Sequence, residues 1–407
     1  MVQFRVRITH NLNLTQLPQD ALRTETPLTM SFTTFENPSQ PLTSGVREHV
    51  RATLQTVLQG FRSHALLYAV ALVTYAVGLV QSIWLGVPLS LSLVGMVSGT
   101  TFICLLAIVY LWLFWEFIRA CGQGYRTGMA EAFGRMKTRV LGNVLAPSRV
   151  SNTFHAFMSN GVFFVGFMTI KKNIPDAVPF HWDQSFMELD RVLHFGMLPH
   201  EILAPLFNVP LVTFIVNVIY NLWFLVLTAF FFWQGFRKDD TPLRQRYLLS
   251  YLLTWAIGTC ILGTVFSSAG PCFYGFVEQG PNPYDGLMRY LAEANALYPV
   301  WAVPTQATLW QSHLAGFGDI EGVSAMPSMH VGTTILFILC ARASGHRWLV
   351  WFSYIFAIAI FLGSILLGWH YAVDGYAGAL IAIACWKLAG WLVARSAISS
   401  HPSSVPR

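Results

Sequence analysis

The chain has 407 residues, of which 54% are hydrophobic and only 11% charged, against about 25% charged in a typical soluble domain. That composition, with a mean hydropathy of +0.51, excludes a water-soluble globular protein. The net charge of +6 comes from basic residues spread singly along the chain without a basic stripe or RNA-binding motif, so no nucleic-acid partner is expected.

The first 45 residues are rich in Thr, Asn, Gln and Pro and lack the apolar core of a signal peptide, so a poorly ordered tail is expected there. A membrane span needs about 20 apolar residues. Runs of that kind are Ala65–Trp84, Leu89–Trp115, Asn152–Ile170, Leu211–Trp233, Tyr247–Phe266, Pro327–Ala341, Trp348–Leu367 and Tyr371–Val393. The chain is therefore expected to be an all-α polytopic membrane protein with about eight transmembrane helices. The basic stretch from Arg119 to Arg149 suits an interfacial helix. The six cysteines form no CxxC or Cys/His pair at zinc spacing, and buried free thiols are expected. With eight spans, all but four of the 25 Lys and Arg residues fall on one side, the exceptions being Lys171, Lys172, Arg191 and Arg289. The positive-inside rule then puts both termini in the cytoplasm of a cell-membrane protein.

Three polar clusters share the opposite, extracytoplasmic face: Lys171 to Pro179 after span three, Ala325 to His330 at the start of span six, and Gly368 to Gly375 at the start of span eight. His370 and Asp374 are four apart and share one face of a helix. Asp374 can fix the His370 tautomer and leave Nε2 free as a nucleophile. His330 suits protonation of a leaving oxygen. Lys171 or Lys172 offers charge to a phosphate, and Ser328 stands at a helix N-terminus, a natural anion site. His330 lies only ~18 Å along the helix from Arg342, below the surface of a ~30 Å apolar core. A lipid headgroup reaches that depth more easily than a soluble substrate. Ser267 to Pro271 suits a plain turn or hydroxyls for the headgroup. The segments His181 to Asp183 and Leu189 to His194 suit an interfacial helix, with a His/Asp metal site as the lesser alternative, and Tyr274, Tyr284 and Tyr298 suit interface anchors or carbohydrate-like headgroup contacts. No metal or cofactor is called for by the triad.

The set resembles the type 2 phosphatidic acid phosphatase superfamily, whose signatures are KX6RP, PSGH and SRX5HX3D. Lys171 and Pro179 match the first with Val178 in place of Arg, and Pro327-Ser328-Met329-His330 matches the second with Met for Gly. His370 and Asp374 match the third, with Gly363-Ser364 in place of Ser-Arg. The resemblance implies a six-helix catalytic core over 152–395. Outside it lie a polar cytoplasmic tail (1–60), two additional transmembrane helices (61–118), a basic cytoplasmic linker (119–151) and a short cytoplasmic tail (396–407). It implies His370 as nucleophile forming a phosphohistidine, His330 as acid/base, Asp374 as orienting carboxylate and Lys171 as phosphate ligand. It also implies Arg191 or Arg289 in place of a lost arginine and Ser364 as a donor to the phosphate. The missing arginines make the chain similar to the branch containing inositol phosphorylceramide synthases. The expected substrate is a lipid phosphate, given either to water or to a lipid acceptor. A transporter on the same fold is the remaining alternative.

Overall fold

The computed structural model describes residues 42–91, 110–125, 128–316 and 322–399. Residues 1–47 and 48–407 form separate units, and the account below concerns the second. Among the described residues there is no strand. The helices that bear on the site are α1 (Leu42–Ser63), α2 (Ala65–Leu85), α3 (Pro147–Lys172), α4 (Asp183–Leu193), α5 (Pro210–Gly235), α6 (Pro242–Val265), α7 (Ala302–Ala315), α8 (Met329–Ser344), α9 (Arg347–Leu366) and α10 (Ala372–Ser399). Six of them (α2, α3, α5, α6, α9 and α10) are long and apolar enough to cross a membrane, and α8 is a shorter apolar helix. The expected span Leu89–Trp115 lies mostly outside the described residues, although residues 110–125 are helical. The expected polar tail is corrected between residues 42 and 60, where α1 forms. Val50, Leu54 and Leu58 recur every fourth residue there, the spacing that gives a helix an apolar stripe. Within the expected linker 119–151, residues Met129–Arg139 form a short helix and Pro147 opens α3.

Local chemistry sets the helix ends. Pro occupies the first turn of α3, α5 and α6, where its missing N–H costs nothing. Ser328 caps α8, its side chain accepting from Val331 N–H, and left-handed Gly345 closes that helix, as is usual for a C-terminal glycine. Between Ala256 and Leu262 α6 widens into a π-helical stretch, a feature often found at functional sites.

Lipid tails are as apolar as side chains, so helices in a membrane associate through close packing and buried polar bonds. Both devices are present. Along α2 and α3, Gly78 and Gly166 interlock backbone to backbone, and a Cβ at Gly78 would lie 2.7 Å from Gly166 O. At the end of the bundle remote from His330, the buried Arg244 guanidinium donates to Asp240 Oδ1 (2.6 Å), Asn152 O (2.6 Å), Gln234 O (3.1 Å) and His64 Nε2 (2.8 Å). Burial holds His64 down at about 4, against the pull of Asp240, so it stays a neutral acceptor for Arg244. These bonds join α3, α5 and α6 to the start of α2.

The interlock gives a direct test. Gly166→Leu should lower stability in detergent by about 1–3 kcal/mol, the usual cost of overpacking, read as a drop in melting temperature. Gly161→Ala, one helix face away with nothing within 4 Å of its added Cβ, should leave it unchanged or slightly raised.

Candidate active site

The loop before α10 is built from backbone bonds. Ser364 O accepts N–H groups from Trp369 (3.0 Å) and His370 (3.1 Å), and Gly368 turns the chain at a φ of 72°. Asp374, in the first turn of α10, accepts from Tyr371 N–H at 3.0 Å and lies 3.3 Å from His370 Nδ1, both through Oδ2. Nδ1–H is thus directed at the carboxylate, and Nε2 keeps its lone pair for another partner.

His330 enters from α8. Ser328 N–H donates to Asp374 O at 2.9 Å, which pins the start of α8 against α10. The His330 ring stacks on Tyr220 at 4.7 Å and packs on Trp223 at 4.1 Å between centroids. Trp223 is itself fixed by its Nε1–H bond to Thr333 Oγ1 at 2.9 Å. Held this way, the His330 and His370 rings lie with centroids 5.8 Å apart and their planes inclined at 60°.

Both histidines and Lys171 line one cavity of about 1280 Å³. The other expected phosphate ligands do not line it. Lys172 is half-buried outside the lining, and Arg191 and Arg289 are exposed. Ser328 Oγ is occupied as the α8 cap, and Ser364 Oγ donates to Phe361 O at 2.7 Å. Both serines hold backbone in place beside the histidines. Ser267 and Ser268 are buried in a structural turn, Ser268 Oγ accepting from Met326 N–H at 3.2 Å. Tyr274 and Tyr284 are core residues instead of interface anchors.

Two residues were not expected as part of the site. Asp183 and Asp190 lie seven apart on α4, on the same inward face as Phe186 and Met187. Asp183 accepts from Ala269 N–H and Gly270 N–H (both 2.8 Å) and from Tyr371 O–H (2.8 Å). Asp190 accepts from Ala372 N–H (2.8 Å) and Val373 N–H (3.0 Å), capping α10 from another helix. Burial pushes both carboxyls up to about 6, while the N–H donors pull the other way. At neutral pH both are anions held by backbone donors. The available sequence signal was an acidic pair at helical spacing on an otherwise apolar face. Among the described residues, no group of three His, Cys, Asp or Glu side chains converges to hold a metal.

The departures from the family motifs have steric partners. Met329, where the motif has Gly, reaches Gly258 in the π-helical stretch of α6, and a Cβ at Gly258 would lie 2.5 Å from Met329 Cε. Gly363, where the motif has Ser, is crowded by Tyr220, whose Cδ2 would lie 3.1 Å from an added Cβ.

The profile of the PAP2 superfamily matches residues 184–388. Half of the chain is covered, and this multi-helix membrane protein belongs to that superfamily. The match runs from α4 into α10 and so takes in both histidines and Asp374, with Lys171 before it. No curated protein and no solved structure matches the chain.

Asp190 acts through the loop it caps and touches neither histidine. Asp190→Ala should lower kcat on a phosphate ester by about 10²-fold, the scale of a small misplacement of reacting groups, with KM little changed. Asp190→Asn, which keeps one acceptor oxygen, should recover part of that loss. Equal kcat for wild type and both variants would remove Asp190 from the positioning role.

Proposed function

We propose that this protein is a membrane lipid phosphatase or phosphotransferase that works through a phosphohistidine on His370. The observation that supports this most directly is the pair of adjacent imidazoles, 5.8 Å apart between centroids, with Asp374 behind one and Lys171 on the same cavity wall. A phosphate bound beside Lys171 receives the His370 Nε2 lone pair, and the bond from phosphorus to the leaving oxygen breaks. His330, as imidazolium, gives that oxygen its proton. Asp374 stabilises the positive charge that grows on His370. In the second half, neutral His330 takes a proton from the incoming hydroxyl, whose oxygen attacks phosphorus as the bond to Nε2 breaks. Water as acceptor releases phosphate, whereas a lipid alcohol gives a new phosphoester.

Transfer to a lipid alcohol, as in inositol phosphorylceramide synthases, is the second reading. The lack of a guanidinium on the cavity wall, where Lys171 is the only Lys or Arg among the described lining residues, favours it. That wall has no bidentate arginine clamp for a phosphate monoester dianion. With purified protein and a phosphorylated lipid, phosphate release marks hydrolysis and headgroup exchange marks transfer. Flux without turnover marks a transporter and overturns the enzyme reading.

The two histidines should separate by leaving group. His370→Ala should abolish activity on every ester. His330→Ala should cost ~10²–10⁴-fold on a lipid alcohol, the usual worth of general acid help, and far less on a nitrophenyl phosphate, which leaves without a proton. Asp374→Asn should fall between them. Equal losses for both histidine variants on both substrates would overturn these roles.

The site is placed on the extracytoplasmic face, with both termini in the cytoplasm, on the strength of the Lys and Arg bias. A cysteine introduced between Ser267 and Met326 should react with an impermeant thiol reagent on intact cells, and one at Lys238 should not. The reverse pattern would put the site in the cytoplasm.

A further inference from the structure

The cavity that holds the histidines extends well beyond the space a phosphate needs. Its wall follows α3 from Lys171 down to Thr153, 18 residues or ~27 Å at the helical rise. One half of the bilayer core is only about 15 Å deep. The far end is fixed by hydrogen bonds: Thr153 Oγ1 donates to Gly235 O at 3.4 Å, and its neighbour Asn152 donates to Arg237 O and Lys238 O. The crevice therefore runs from the histidine end of the bundle to the opposite end.

The charge pattern along it is one-sided. Lys171, His330 and His370 gather at the top. Below them the wall is mostly rings and hydrocarbon, among them Phe157, Phe167, Phe232 and Trp255. Thr228 turns its hydroxyl back to Phe224 O at 2.7 Å. One side of the crevice belongs to α3, joined by Leu72 and Tyr75 of α2, and both helices lie before the superfamily match at 184–388.

We propose that this crevice binds the apolar chain of a phosphorylated lipid whose chain is longer than one leaflet, extended along α3 past the midplane. The proposal rests on the lipid-phosphate reading above and adds chain length as the property selected. A chain confined to one leaflet would leave the lower half of the crevice without van der Waals partners. A longer one fills it while its phosphate stays between the histidines.

Gly161 offers a test that spares the fold. It lines the crevice, lies ten residues or ~15 Å below Lys171, and a Cβ there meets nothing within 4 Å. Gly161→Phe should plug the lower half, and Gly161→Leu gives a smaller plug if the first variant does not purify as a single species. Neither residue touches the histidines. The assay compares two alkyl phosphates in detergent: one of about ten carbons, which ends within a leaflet, and one of about 24, which crosses the midplane. A parallel pair carries isoprenyl chains of matched length. Wild type should turn over both lengths, and the plugged variants should lose at least tenfold in kcat/KM on the long chain while keeping the short one. Whichever series shows this pattern supports the proposal and names the chain type. If the plugs leave both lengths unchanged, or reduce both equally, the proposal is overturned while the enzyme reading stands. If wild type turns over neither length, the enzyme reading itself fails.

Discussion

Two buried carboxylates hold this site together. A backbone N–H taken out of water without a partner costs free energy, and the loops that carry the site chemistry contain several such groups. Asp183 and Asp190 satisfy four of them and the Tyr371 hydroxyl from a single short helix. Because both anions project from α4, the turn at 269–270 and the start of α10 are tied to one rigid element. The Ser328-to-Asp374 backbone bond then carries α8 into the same frame. A histidine of α8 and one of the loop before α10 can therefore meet at a fixed separation without touching each other through a direct bond.

The fold was largely legible because a membrane span is written in its own residues. Apolar length needs no distant partner, and the ends of α2, α3, α5, α6, α9 and α10 fall within a few residues of the expected ones. The second expected span, Leu89–Trp115, lies mainly outside the described residues. The amphipathic α1 was missed because its apolar residues are too few for a hydropathy window and show only at fourfold spacing. Of the site, His370 with Asp374 was legible from an i, i+4 spacing, and His330 from the alternation of spans.

What could not be read depended on groups remote in sequence or on backbone. Asp183 meets donors 86 and 87 residues away, and Asp190 meets donors 182 and 183 residues away. The helical spacing of Asp183 and Asp190 puts both on one face, away from exposed Arg191, but it does not reveal the backbone donors that the face meets. Ser328 reads as a phosphate donor from its place at a helix N-terminus and Ser364 from the family resemblance; hydroxyls also bond readily to nearby backbone, and both do so here. The Met at 329, where the motif has Gly, is matched by Gly258 across the helix interface, a pairing 71 residues apart that spacing within the motif does not show.

The crevice walls come from two parts of the chain with separate obligations. Residues that hold the histidines in register answer to α4, α8 and α10 and are bound by bonds that tolerate little change. The α2 and α3 wall is held by the glycine interlock and the Arg244 knot, both away from the histidines. Side chains such as Leu72, Phe154 and Met158 can therefore drift without disturbing catalytic geometry. If the crevice holds a lipid chain as proposed, which chain it accepts can change without a change at the histidines.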